Sequence, residues 1–161
     1  MEAKTALKSL LLMTLATDPA FYRLLSGSHA RLVGRPLMAD EAGGDDAAKA
    51  RWLYERAPFC VLAHNTDADP VFVYGNRAAQ ECFEYGWEEI TRLPSRLSAE
   101  APDRAERQRL LDEVTRRGFI GDYRGLRIAK SGRRFWIENA TVWQLIDEDG
   151  VLLGQAAMFR A

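Results

Sequence analysis

The closing stretch GFIGDYRGLRIAKSGRRFWIENATVWQLIDEDGVLLGQAAMFRA constrains this chain most. Three runs rich in Ile, Val, Phe, Trp and Tyr are separated by Lys130-Ser131-Gly132-Arg133 and Asp147-Glu148-Asp149-Gly150. Glycine after a short polar residue supplies the positive φ of a tight hairpin turn. β-Branched and aromatic residues suit half-buried strands. The spacing predicts an antiparallel meander with strands from about Asp122, Arg134 and Val151. An earlier hairpin can complete the same sheet: Phe59–His64, a turn over Asn65–Pro70, then Val71–Tyr74.

Helices are expected before and between these strands. Residues 4–16 carry an apolar stripe at Ala6, Leu7, Leu10, Leu11 and Leu15. Asp18-Pro19 is a helix start, and Gly34 with Pro36 ends that helix near Leu32. A third helix is predicted from Asp46 to Arg56, after a Gly43-Gly44 loop. Asn76 is a natural N-cap for Arg77–Phe83, and short helical pieces fill Trp87–Ser98. The longest helix is predicted over 103–117, with Asp103 and Glu106 at capping-box spacing, a stripe of Leu110, Leu111 and Val114, and Gly118 as the stop.

With 161 residues, 47% of them hydrophobic, the chain can bury one substantial core. A net charge of -1 gives no bulk field for nucleic acid or an anionic membrane, so neither partner is expected. Cys60 and Cys82 form no CxxC pair and read as small buried hydrophobes. Lys4 and Lys8 before Leu10–Met13 faintly resemble a secretory leader, but the apolar run is short and no stretch of eighteen apolar residues exists. A soluble cytoplasmic protein is the expectation. No P-loop, dinucleotide glycine fingerprint, G-x-S-x-G elbow or HExxH helix is present.

Two strands, then helices, then three strands is the order of a PAS domain. The expected fold is α+β: a PAS-like five-stranded antiparallel sheet over 58–161 with helices on one face, preceded by an N-terminal helical extension over 1–57. The strings DPVFVYGNRAAQECFEYGWEEITRLPSRLSAEAPDRAERQRLL and GRRFWIENATVWQLIDEDGVLLGQAAMF resemble the MEKHLA domain, a PAS-related family. The likeness is most specific at Tyr74-Gly75-Asn76-Arg77, Phe83-Glu84, Pro94–Glu100 and Ala140–Trp143. The family occurs free-standing in bacteria and algae, the bacterial type being expected here, and at the C-terminus of some plant homeodomain–leucine zipper proteins. The resemblance implies a sensory or regulatory module with an unassigned ligand and brings no set of catalytic residues. PAS-related flavin-photoadduct domains carry an Asn-Cys-Arg-Phe motif where this chain has Pro94–Ser98, and haem-binding ones a His on the long helix, which residues 103–117 lack. Neither cofactor is expected by those routes.

Candidate ligand-binding residues are His64, Tyr74, Asn76, Arg77, Asn139, Thr141 and Trp143. His64 ends the first strand and titrates near neutrality unless perturbed. Tyr74, Asn76 and Arg77 cluster at a strand-to-helix junction, though Asn76 also reads as a cap and Arg77 as a partner of Glu81. Strict alternation puts Phe135, Ile137, Asn139, Thr141, Trp143 and Leu145 on one face, towards the helices, with Asn139 and Thr141 as polar points in an apolar wall. The other face carries Trp136, Val142 and Ile146, an apolar surface for the N-terminal helices or, preferentially, a second subunit. His64, Asp67 and Asp69 are possible metal ligands, but Asp in a turn ordinarily bonds backbone, so no metal site is expected. His29 is expected on a helix surface, and Arg104, Arg107, Arg109, Arg116 and Arg117 on a solvated, ion-paired face. The expected mechanism is a ligand-driven population shift, signalled through association with another protein or a second copy. An interaction domain with a filled core, or a small enzyme using His64, are the alternatives.

Overall fold

The computed structural model describes residues 15–38 and 42–160. The helix expected over 4–16 lies outside them except for its end, where Leu15–Thr17 form a 3-10 turn. Helix α1 spans Pro19–Val33 and α2 spans Asp46–Glu55. The side chains of Asp18 and Asp45 cap them, accepting from Ala20 and Ala48 amides. Strands β1 (Cys60–His64) and β2 (Phe72–Gly75) follow, then α3 (Arg77–Phe83) and α4 (Trp87–Ile90). A 3-10 turn over Ser95–Ser98 leads to α5 (Ala101–Arg117). The chain closes with β3 (Phe119–Ile128), β4 (Arg134–Ile146) and β5 (Leu152–Arg160).

The five strands form one antiparallel sheet in the order β2-β1-β5-β4-β3. Gly132 and Gly150 take φ of 93° and 80° in the two hairpin turns, as their positions after polar residues predict. Helix α5 begins earlier than expected. Glu100 occupies the N-cap with Pro102 in the first turn, so Asp103 lies inside the helix and the Asp103–Glu106 capping box does not form.

Helices cover both faces of the sheet. On the inner face, α3 and α5 pack Ala79, Phe83, Leu110 and Val114 against Leu62, Ile137, Ala140 and Val142. On the outer face, Leu25 of α1 and Leu53 of α2 pack against Val61, Ala63, Trp143 and Leu145. The N-terminal helices and the sheet thus share one core, although the 57/58 boundary divides them in sequence. His29 is not on the surface as expected. It is buried edge-on to Trp143, ring centroids 4.9 Å apart, with Nδ1 3.0 Å from the Arg35 carbonyl oxygen.

The expected alternation along β4 breaks at one residue. Asn139 has φ 50°, and the pairing with β5 shifts between Glu138 and Thr141. This bulge leaves Glu138 and Asn139 exposed in succession and reverses the parity beyond them. Phe135 and Ile137 pack with the inner-face cluster, and so do Ala140 and Val142; Trp143 and Leu145 pack with the outer one. Among the described residues no helix is long and apolar enough to cross a membrane.

Candidate functional site

Between the inner face and α5 lies a cavity of about 60 Å³. A water molecule needs about 10–15 Å³ of such space, so the cavity admits a few heavy atoms. Most of its wall is hydrocarbon, from Leu62, Phe83, Leu110, Ile137, Val142 and Phe159. The polar groups are His64, Ser98, Arg107, Tyr123, Arg127 and Gln155. An open groove of about 430 Å³ adjoins it, lined by the Asn65–Pro70 turn, α5 and Leu152. His64, Arg107, Leu111 and Gln155 line both spaces and stand between cavity and solvent.

The two arginines are the unusual members. Arg107 is 8% exposed and Arg127 6%. Arg107 stands three residues before Leu110 and seven before Val114, so helical periodicity carries it onto the buried stripe of α5. Arg127 shares the inner face of β3 with Tyr123 and Gly125 by strand alternation. A Cβ at Gly125 would lie 2.4 Å from the Tyr123 hydroxyl and 2.8 Å from Arg127 Nη1, so the missing side chain lets both fold over the strand. Arg127 Nη2 donates to the Tyr123 hydroxyl at 3.0 Å and Nη1 to the Leu126 carbonyl at 2.9 Å. The Tyr123 hydroxyl in turn donates to Glu106 Oε2 at 2.9 Å. Arg107 has no hydrogen bond or ion pair among the described residues. Burial and the neighbouring Arg127 charge push its pKa down to about 10, which still leaves it protonated at neutral pH.

His64 is buried at the end of β1 with Nδ1 2.8 Å from Ser95 Oγ. Burial, then the Arg107 charge, lowers its pKa to about 4, with the Gln155 amide acting the other way. The ring is therefore neutral at physiological pH. Gln155 Nε2 donates to Thr115 Oγ1 at 3.1 Å, while its Oε1 is buried with no hydrogen-bond partner among the described residues.

Of the candidate ligand-binding residues, only His64 lines this cavity. Tyr74 lies on the outer face, its ring 5.2 Å from that of Phe21 and 5.9 Å from that of Trp87. Asn76 is a fully used cap: its Oδ1 accepts from the Val61 and Ala79 amides, and its Nδ2 donates to the Leu53 and Phe59 carbonyls. Arg77 is exposed and forms no ion pair with Glu81. Asn139 is exposed at the bulge, Thr141 is buried but does not line the cavity, and Trp143 is buried under α1, donating from Nε1 to the Leu25 carbonyl at 3.3 Å. The expected apolar surface is likewise divided. Val142 lines the cavity, Ile146 is bonded to α1, and Trp136 alone stays half-exposed with the Arg124 guanidinium 3.7 Å above its ring. For Thr141, Trp143 and Val142, all beyond the bulge, the cause is the parity reversal at Asn139. Asp69 is paired with Arg96 at 3.1 Å, and no group of three or more potential ligands exists among the described residues.

The expected solvated, ion-paired face of α5 does not hold for Arg107, which is buried without an ion pair among the described residues, and sequence reasoning passed over Tyr123, Arg127 and Gln155. The available signal was positional: an arginine in register with an apolar helical stripe, and Tyr-x-Gly-x-Arg on one face of a strand.

Comparisons with known proteins agree with this architecture. A PAS domain from Colwellia psychrerythraea superimposes with a TM-score of 0.61 at 14% identity, over 70% of this chain and 92% of that one. A light-oxygen-voltage domain studied with a flavin analogue gives 0.54 at 16% identity, over 62% and 74%. The Arabidopsis thaliana homeobox-leucine zipper protein ATHB-9 is 26% identical over 146 residues, which is 85% of this chain and 17% of that protein. The profile of the MEKHLA domain matches residues 19–161, taking in α1 and α2 together with the sheet. This PAS-fold chain belongs to the MEKHLA domain family.

Proposed function

We propose that this sensory or regulatory module binds a small molecule in the cavity between the inner sheet face and α5, and signals through protein association. One observation carries the reading. Buried polar and charged groups converge in a mostly apolar cavity that adjoins an open groove, the usual composition of a small-molecule site. Binding would act by favouring one packing of α5 on the sheet and so changing the presented surface. Half-exposed Trp136 near the start of β4 and, at the other end of that strand, Val151, Leu152 and Leu153 of the β4–β5 turn offer two separate apolar contacts for a homodimer or protein partner.

Native mass spectrometry and thermal shift across a metabolite library test the binding. Multi-angle light scattering with and without a hit tests the association. A second reading, an interaction domain with a filled core, draws on the small volume of the cavity. It is favoured if no compound shifts the melt while the protein self-associates. The enzyme reading has less support, because His64 faces Ser95 and Arg107 and no carboxylate among the described residues bonds to it.

A further inference from the structure

Arg107 is a cation more than nine-tenths buried, with no acceptor among the described residues, and it lines the cavity. A second buried guanidinium, Arg127, lines the same space and depresses the first. Its own bonds go to a carbonyl and a hydroxyl, neither of them an anion. Glu106 is bonded to the Tyr123 hydroxyl rather than to either guanidinium. Two like charges buried together are unfavourable unless an anion compensates them. Planar guanidinium groups match carboxylate geometry.

Resting on the binding proposed above, we infer that the ligand carries a carboxylate, held by Arg107 and Arg127, with a short hydrocarbon part against Phe83, Ile137 and Val142. The apolar wall argues against inorganic phosphate or sulfate, whose remaining oxygens would face hydrocarbon. The volume limits the enclosed part to a few heavy atoms, and anything longer extends past Leu111 and Gln155 into the groove. Neutral His64 and Ser98 add hydrogen-bonding groups at the same wall.

The test is calorimetry and thermal shift on the full chain. Acetate, propionate, butyrate and benzoate are compared with propionamide and butyramide, and with sodium phosphate and chloride at equal ionic strength. At least one acid is expected to bind saturably, roughly tenfold or more tighter than its amide. Arg107→Met is expected to melt no lower than the parent without ligand, since it removes an uncompensated charge, and to lose the acid response roughly tenfold or more. Should that variant fail to fold, Arg127→Gln is titrated in its place with the same expected loss. The His64 imidazole gives an independent readout by NMR: a carboxylate beside Arg107 raises its pKa, and a neutral ligand does not.

The inference is overturned if no acid binds saturably, if acid and amide bind equally, if phosphate outcompetes every acid, or if the arginine variants keep the acid response. Neutral library compounds that bind while all acids are silent would sink the carboxylate alone. Silence across acids and library together would sink the binding module as well.

Discussion

Ser28 and Ile146 exchange two hydrogen bonds: the Ser28 hydroxyl donates to the Ile146 carbonyl at 2.9 Å and accepts from the Ile146 amide at 3.0 Å. One helix side chain thus pairs with both backbone groups of the last residue of β4, whose carbonyl also accepts from Arg31 Nη2. Ser28 is fully buried, and the two residues are 118 apart in sequence. The pair, with the Trp143 indole on the Leu25 carbonyl, fixes α1 over the outer face.

Ser28→Ala should therefore destabilise the protein by about 1–3 kcal/mol, the cost of leaving the part-buried Ile146 amide unpaired. Urea unfolding measures the loss. Hydrogen exchange should show the added mobility at α1 and the end of β4, with β1 and β2 unchanged; uniform loosening would contradict this account.

Asn76 is expected to behave as a structural residue. Asn76→Ala strands two amides and two carbonyls in the core, so a loss of roughly 3 kcal/mol or more is expected. Asn76→Asp should be no better, because a carboxylate cannot donate to the Leu53 and Phe59 carbonyls. Thermal melts of both variants check this.

Gly154 sits against the backbone of His64. A Cβ there would lie 2.0 Å from the His64 carbonyl oxygen, and neither backbone can move without breaking the β1–β5 pairing. Gly154→Ala should cost about 3 kcal/mol or give insoluble protein, measured by melting and soluble yield.

The buried imidazole of His64 makes stability depend on pH. Its folded pKa is held down to about 4 against 6.5 for the free group. Above pH 6.5 both states are neutral and the group has no effect. Between 6.5 and 4 the unfolded chain takes up the proton and the folded one does not, so stability falls with pH, by roughly 3 kcal/mol at pH 4. His64→Asn should flatten this slope in urea melts run across that window.

Gly125→Ala offers a contrast with Gly154→Ala. The groups it would strike are the far ends of the Tyr123 and Arg127 side chains rather than backbone. The fold should survive with a change under about 1 kcal/mol. If Arg127 holds the ligand, affinity for a bound acid should still drop roughly tenfold, read by titration.

Local chemistry made much of the architecture legible. The glycine turns at 132 and 150, the caps at Asp18 and Asn76 and the strand compositions all act within a few residues, and each stands where the sequence puts it. What failed was the assignment of faces. The alternation rule counts residues, and a bulge changes the count. Asn139, a residue that tolerates positive φ, in a run of strand formers was the only local hint.

The amino-acid order by itself determined the elements, their antiparallel pairing and the family, because turn geometry, capping and side-chain period are short-range properties. Tertiary structure alone decided that His29 lies beneath Trp143, and that Arg107, Arg127 and His64 meet in one cavity. Those facts depend on which face a neighbour covers and on the approach of segments far apart in the chain, and no local preference encodes either.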